Sequence, residues 1–207
     1  MTDDGPISAG VTVVAAGPWT AALLRPIGIP VPIAAARGWL VQVAPGRPTI
    51  HHWIQSGARG LSGGGEHPEG PTSLREFATG TRTTEVLPFL QPAPDGSVVA
   101  GTSREPALSA DSVELDVPRA VAEQAARLVP ALADAAVLST WSGVRPLSPD
   151  ERPLIGRVLD GLVLASGHGS EGVILAGGTA RLVRAIILGG EPPFDLEPFD
   201  PFRFGSG

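Results

Sequence analysis

Leu162-Val-Leu-Ala165, an uncharged apolar run, passes straight into Ser166-Gly-His-Gly-Ser-Glu-Gly172 and then into the long apolar stretch Val173–Leu188. That order predicts a buried strand, a glycine-rich loop and a helix, so the helix begins where the strand ends. Unpaired N–H groups and the positive end of the helix dipole gather at such a junction. Gly167, Gly169 and Gly172 let the backbone come close to a ligand there. The Gly-Lys-Ser/Thr ending of a nucleotide-triphosphate loop is absent and the loop is not read as a dinucleotide G-x-G-x-x-G, so an electron-rich oxygen or a ring that gains negative charge suits the site better.

The rest of the chain surrounds this unit with short strands. The 27 Gly and 22 Pro of its 207 residues cluster between patterned segments and read as turn punctuation. With 43% hydrophobic residues the chain can bury a core, as one large domain or two small ones. A net charge of −6 gives no attraction for nucleic acid or an anionic membrane, and no apolar run is long enough for a spanning helix. The acidic start, Met1-Thr-Asp-Asp-Gly-Pro6, is unlike a secretory leader, which makes the cytoplasm the expected compartment. The absence of Cys excludes disulfides, thiolate metal sites and thiol nucleophiles.

Val11–Ala16 reads as a strand between Gly10 and Gly17, followed by a short helix over Pro18–Arg25. This second strand–Gly–helix corner is either an anion-facing turn or a packing corner; both readings stand. Gly38–Val43 predicts a strand, and Glu85–Leu90 with Ser97–Thr102 predicts a hairpin across Pro94-Asp-Gly96. Val117–Val129 predicts a helix with Val121, Ala125, Leu128 and Val129 on its apolar face, closed by Pro130. Between Pro45 and Arg82, Leu61-Ser-Gly-Gly-Gly65 reads as a flexible loop. His51, His52 and His67 show no metal-ligand spacing, so they read as surface or strand histidines and no metal site is predicted.

Val137–Trp141 predicts a strand that feeds into Ser142–Asp150, where Arg145 stands before Pro146. That backbone suits neither a helix interior nor a central strand. A guanidinium held at a strand end can grip a carboxylate through two parallel hydrogen bonds. A structural pairing with Asp150 or Glu151 is the other reading. Pro153–Gly156 is expected to lead through a short turn to the strand at Leu162.

Taken in order, these pieces resemble the D-amino-acid-oxidase-type family of FAD-dependent oxidoreductases, which includes glycine oxidase and sarcosine oxidase. They are Ala15-Ala-Gly-Pro-Trp-Thr20, Trp141-Ser-Gly-Val-Arg-Pro146, Pro149-Asp150, Pro153–Gly156, Gly167-His168 and Gly172-Val-Ile-Leu175. Pro198–Phe204 is similar to the family's closing segment. The resemblance implies a mixed α/β (α+β) fold. Residues 1–36 and 141–207 would form a partial FAD-binding region, interleaved with a substrate-binding region at 37–140 made of a mixed or antiparallel sheet and a covering helix.

The resemblance also implies FAD as cofactor, a small amino-acid or amine substrate, and hydride transfer from the substrate α-carbon to the flavin. It gives Arg145 the substrate carboxylate and places Gly17, Trp19, His168, Gly169, Ser170, Glu171, Gly172, Val173 and Ile174 at the cofactor. Ser170 also falls in the substrate site, where the glycine-oxidase-like pattern has a second basic residue. The chain has no Tyr, although family members often carry one in the substrate sheet. No side chain is assigned as the catalytic acid or base. The family's βαβ unit with GxGxxG has no counterpart before Val11. The expectation is therefore a C-terminal portion or subunit that meets an N-terminal FAD-binding partner chain. A non-catalytic carboxylate-binding module and an inactive remnant are the alternatives.

Overall fold

The computed structural model describes residues 5–44, 50–55, 85–106 and 116–205. Leu61–Gly65 and His67 lie outside them. The chain divides into two units: Met1–Ala34 with Arg145–Gly207, and Ala35–Val144.

The first unit holds a three-stranded sheet in the order β1-β8-β7, formed by β1 (Thr12–Val14), β7 (Leu154–Leu159) and β8 (Leu162–Ser166). β1 runs parallel to β8, with Thr12 opposite Leu162 and Val14 opposite Leu164, and β7 runs antiparallel to β8. β8 is the central strand and is apolar on both faces, with Val163, Leu164 and Ala165 buried. Val14, Leu24, Ile29, Leu154, Val158 and Leu164 form the core. The expected helix at Pro18–Arg25 is three pieces. A 3-10 turn spans Gly17–Trp19, α1 spans Thr20–Leu24, and a second 3-10 turn spans Arg25–Ile27. Pro26 has no N–H to give to a continuing helix.

The short turn expected before Leu162 is at Asp160-Gly161, and the segment leading into it is a strand not foreseen, β7, which pairs with β8 from Leu154↔Ser166 to Leu159↔Leu162. The closing segment lies against it. An added Cβ at Gly156 would sit 2.6 Å from Pro201 Cδ and 3.2 Å from its Cγ. Pro201 is buried and its ring cannot rotate away. Gly156→Ala is therefore expected to destabilise the chain by about 1–3 kcal/mol through overpacking, read as a lower urea midpoint. An unchanged midpoint would contradict this packing.

The second unit holds a five-stranded sheet in the order β3-β4-β5-β2-β6, in which β3–β4, β4–β5 and β5–β2 pair antiparallel. Its strands are β2 (Ala34–Val43), β3 (Ile54–Gln55), β4 (Glu85–Pro92), β5 (Val98–Pro106) and β6 (Val137–Leu147). β4 and β5 form the expected hairpin. Asp95 Oδ1 accepts from Ser97 N–H at 2.9 Å and Ser97 Oγ at 2.6 Å, while Gly96 takes φ +82°. α2 (Asp116–Leu128) covers one face and packs on β4 and β5. Its buried side chains are Val117, Pro118, Val121 and Ala125. Leu128, expected on the apolar face, is 36% exposed, because the buried stripe begins one turn earlier, at Val117. The core beneath α2 includes Val41, Val43, Leu90, Val98 and Ala100.

β6 also runs further than expected. The ladder continues past Trp141 through Arg145 and Pro146 to Leu147. Proline is tolerated there because β6 lies at the sheet's edge. No helix among the described residues is long and apolar enough to cross a membrane.

Candidate functional site

Because β1 and β8 are parallel, their carboxyl ends open at the same end of the first unit's sheet. In open α/β sheets that end is where ligands bind. From β1 the chain turns at Gly17, whose φ is +53°. From β8 it turns through Gly167 (φ +79°) and Gly169 (φ +57°) and enters α3 (Gly172–Leu188), which packs on β7 and β8. The two turns are tied together inside the unit. Thr20 Oγ1 donates to Ser166 Oγ at 2.9 Å, and Ser166 Oγ donates to the Gly17 carbonyl at 3.1 Å. Both hydroxyl-bearing residues are buried.

The end of β6 joins this place. Leu147 and His168 form an isolated antiparallel bridge, and Gly169 N–H donates to the Pro146 carbonyl at 2.8 Å. The glycine loop is therefore pinned to the strand segment that carries Arg145. Arg145 lies two residues before Leu147, hence on the same side of the strand. Asp150 is held by Arg203. Its two oxygens take Arg203 Nη2 at 2.7 Å and Nε at 2.9 Å, which anchors the closing segment. Burial pushes the Asp150 carboxyl up, but the Arg203 fork and the Arg152 N–H outweigh it and hold the pKa below its ordinary value.

α3 begins without a cap. Glu171 makes no side-chain capping bond, and no acidic residue follows in the first turn. The first helical bond runs from Leu175 N–H to the Glu171 carbonyl at 2.9 Å. The N–H groups of Gly172, Val173 and Ile174 thus have no partner within the helix. The side chains around this terminus face outward: Val173 is 93% exposed, Ile174 80% and Trp19 71%, while Ser170 and Glu171 are also exposed.

His168 is half-buried, with Nε2 2.9 Å from Thr179 Oγ1. Burial lowers its pKa from the ordinary 6.5, which favours the neutral imidazole. Above pH 6.5 both folded and unfolded chains hold this ring neutral, so its full contribution to stability is present. As pH falls below 6.5 the unfolded ring takes up its proton first, and stability is lost until the folded ring also titrates. The urea midpoint is thus expected to drop between pH 7.5 and 5. His168→Gln, which keeps a partner for Thr179, should flatten that drop. An equal drop in the variant would place its origin elsewhere.

All the cofactor-facing candidates, together with Arg145 and Ser170, lie in the first unit. His51 and His52 are exposed, and no group of three metal-ligating side chains occurs among the described residues. Sequence reasoning missed the Thr20–Ser166–Gly17 tie and the Thr179 partner of His168, for which there is no local signal. It also rejected a G-x-G-x-x-G here, whereas the spacing of Gly167, Gly169 and Gly172 is G-x-G-x-x-G between a strand and a helix. No strand follows α3 among the described residues, so the strand–loop–helix lacks the second strand of a βαβ unit.

Residues 2–186 match the family model DAO, FAD dependent oxidoreductase. Glycine oxidase of Pseudomonas aeruginosa is 26% identical over 97% of this chain and 48% of its own length. D-amino-acid oxidase of Bradyrhizobium diazoefficiens is 28% identical over 99% of this chain and 43% of its own. The fold is shared with the crystal structure of glycine oxidase from Geobacillus kaustophilus, at a TM-score of 0.76 and 24% identity over 99% of this chain and 48% of that one. The chain spans about half the length of the curated relatives it matches. With its parallel-strand corner, its pinned glycine loop and this match, the chain belongs to the DAO family of FAD dependent oxidoreductases.

Proposed function

We propose that this chain forms the substrate-clamping and flavin-facing part of an FAD-dependent amino-acid or amine oxidoreductase. The observation that carries the reading is the uncapped start of α3 beside the loop pinned to the Arg145 strand. The residues present fit a flavin ring. Three N–H groups are aimed out of the helix end, left-handed glycines shape the turns beside it, and Trp19, Val173 and Ile174 offer exposed apolar surface.

In this reading residues 1–36 and 141–207 are the partial FAD-binding region, and 37–140 the substrate-binding region. Gly17, Trp19 and His168–Ile174 hold the ring, with the N–H groups of Gly172, Val173 and Ile174 facing its electron-rich edge. When bound, FAD supplies the acceptor for a hydride from the substrate's α-carbon. Arg145 grips the substrate carboxylate and so fixes which carbon is presented. Ser170 offers a hydroxyl where a second cation would otherwise stand, so one carboxylate is gripped by charge. The adenine side of FAD is held by a further segment, in the same polypeptide or in a partner chain.

The test is anaerobic addition of glycine, sarcosine or proline to chain reconstituted with FAD, alone or with such a partner. Bleaching of bound flavin by a substrate supports the reading. Carboxylate binding that depends on Arg145 but never on flavin would replace it with a binding module.

A further inference from the structure

A cavity of about 590 Å³ lies within the first unit, between the end of α1 and the closing segment. It shares no lining residue with the Arg145 strand or the glycine loop. Its apolar walls are Ala21, Ile29, Pro30, Val31, Pro32 and Phe204. A hollow of that size and lining is of the kind that encloses small ligands. The walls are also stiff. Pro30 and Pro32 fix their own φ, and the Ile33 N–H donates to the Val31 carbonyl at 2.8 Å. Arg203, already forked onto Asp150, stands 4.5 Å over the Phe204 ring and holds it. A cavity set in this way needs little ordering when a ligand enters.

The charged residue in the lining is Arg25, and no carboxylate lines the cavity to compete for it. Its guanidinium has no hydrogen bond or ion pair among the described residues. The N–H groups of Gly28, Ile29 and Gly205 are spent on the carbonyls of Arg25, Leu24 and Phe202, and Pro30 and Pro32 have none to give. An anion in the cavity is therefore met by the Arg25 charge. Arg25 is exposed while Ile29 is buried, so the charged side faces water and the apolar side faces the core. We propose that this cavity is a small-molecule site for a monocarboxylic acid with a compact hydrocarbon body. Arg25 takes the carboxylate through its planar fork, and Ile29, Val31 and Phe204 enclose the body.

The probe is cyclohexanecarboxylate, titrated into the 15N-labelled full chain without FAD. Acetate supplies the head alone, and cyclohexanecarboxamide the body without charge. The amide resonances of Gly28, Val31 and Gly205 should shift together and saturably with the acid, and both controls should bind about tenfold or more weakly. Arg25→Gln, an exposed change, should weaken the acid by about tenfold or more. Arg145→Met should leave the response at these three amides as it is in the parent. No saturable shift there, equal binding of either control, or undiminished binding to Arg25→Gln would overturn the proposal. So would shifts confined to the glycine loop and lost in Arg145→Met, which would put the acid at the proposed substrate clamp instead. The readout needs no flavin, so its failure leaves the Arg145 and flavin assignments standing, and their failure leaves this one.

Discussion

Replacing Arg145 with methionine is expected to weaken binding of glycine, sarcosine or proline by about 100-fold or more, read by calorimetry or as KM in the flavin-loaded protein. Hydrogen bonds to charged groups contribute about 1.5–3 kcal/mol each, and a guanidinium fork makes two of them with one carboxylate. Each ~1.4 kcal/mol lost is a factor of ten. Methionine keeps the length and apolar stem of the side chain, so the loss reports the charged fork rather than the packing. Arg145→Lys retains the charge without the planar fork and should fall between the two. Thermal unfolding of both variants provides the control for stability. An Arg145→Met protein that binds these acids as the parent does would remove the residue from the substrate site.

The second large effect is structural. Ser166→Ala leaves the buried Thr20 hydroxyl without its acceptor, while the Gly17 carbonyl keeps the Thr20 N–H. An unsatisfied buried polar group costs about 1–3 kcal/mol, and that is the loss expected here in urea unfolding. Thr20→Val alone should cost less, since the Ser166 hydroxyl keeps the Gly17 carbonyl. The double variant should cost clearly less than the two singles added, because removing both hydroxyls leaves no orphaned pair. Strict additivity would show that the two side chains act separately. The same variants should loosen the Gly17 turn, which sits beside the candidate ring site.

What could be read from the sequence follows the range of the interactions. The hairpin at Pro94-Asp-Gly96 and the loop–helix junction at Gly172 are decided within a few residues, by turn chemistry and apolar run length, and both are present. β7 was missed because Pro153 and Gly156 look like turn residues; its strand character comes from pairing with β8. The end of β6 was missed for a similar reason. Pro146 argues against a ladder position, and only the strand's place at the sheet edge permits it. Leu128 matched the helical period of Val121 and Ala125, yet period alone does not say at which end of the helix the covered stripe stops. Of the candidate site, Arg145 and the glycine loop were legible as residue types at a strand end. Their juxtaposition was not, since it depends on the Leu147–His168 bridge and the Gly169–Pro146 bond between segments more than twenty residues apart.

The most direct measurement of the central claim is a titration of the 15N-labelled chain with riboflavin, which carries the flavin ring without the adenine half. The backbone N–H resonances of Gly172, Val173 and Ile174 should shift together and saturably, along with the indole of Trp19. Shifts absent there, or confined to the second unit, would contradict the placing of the flavin ring at the start of α3.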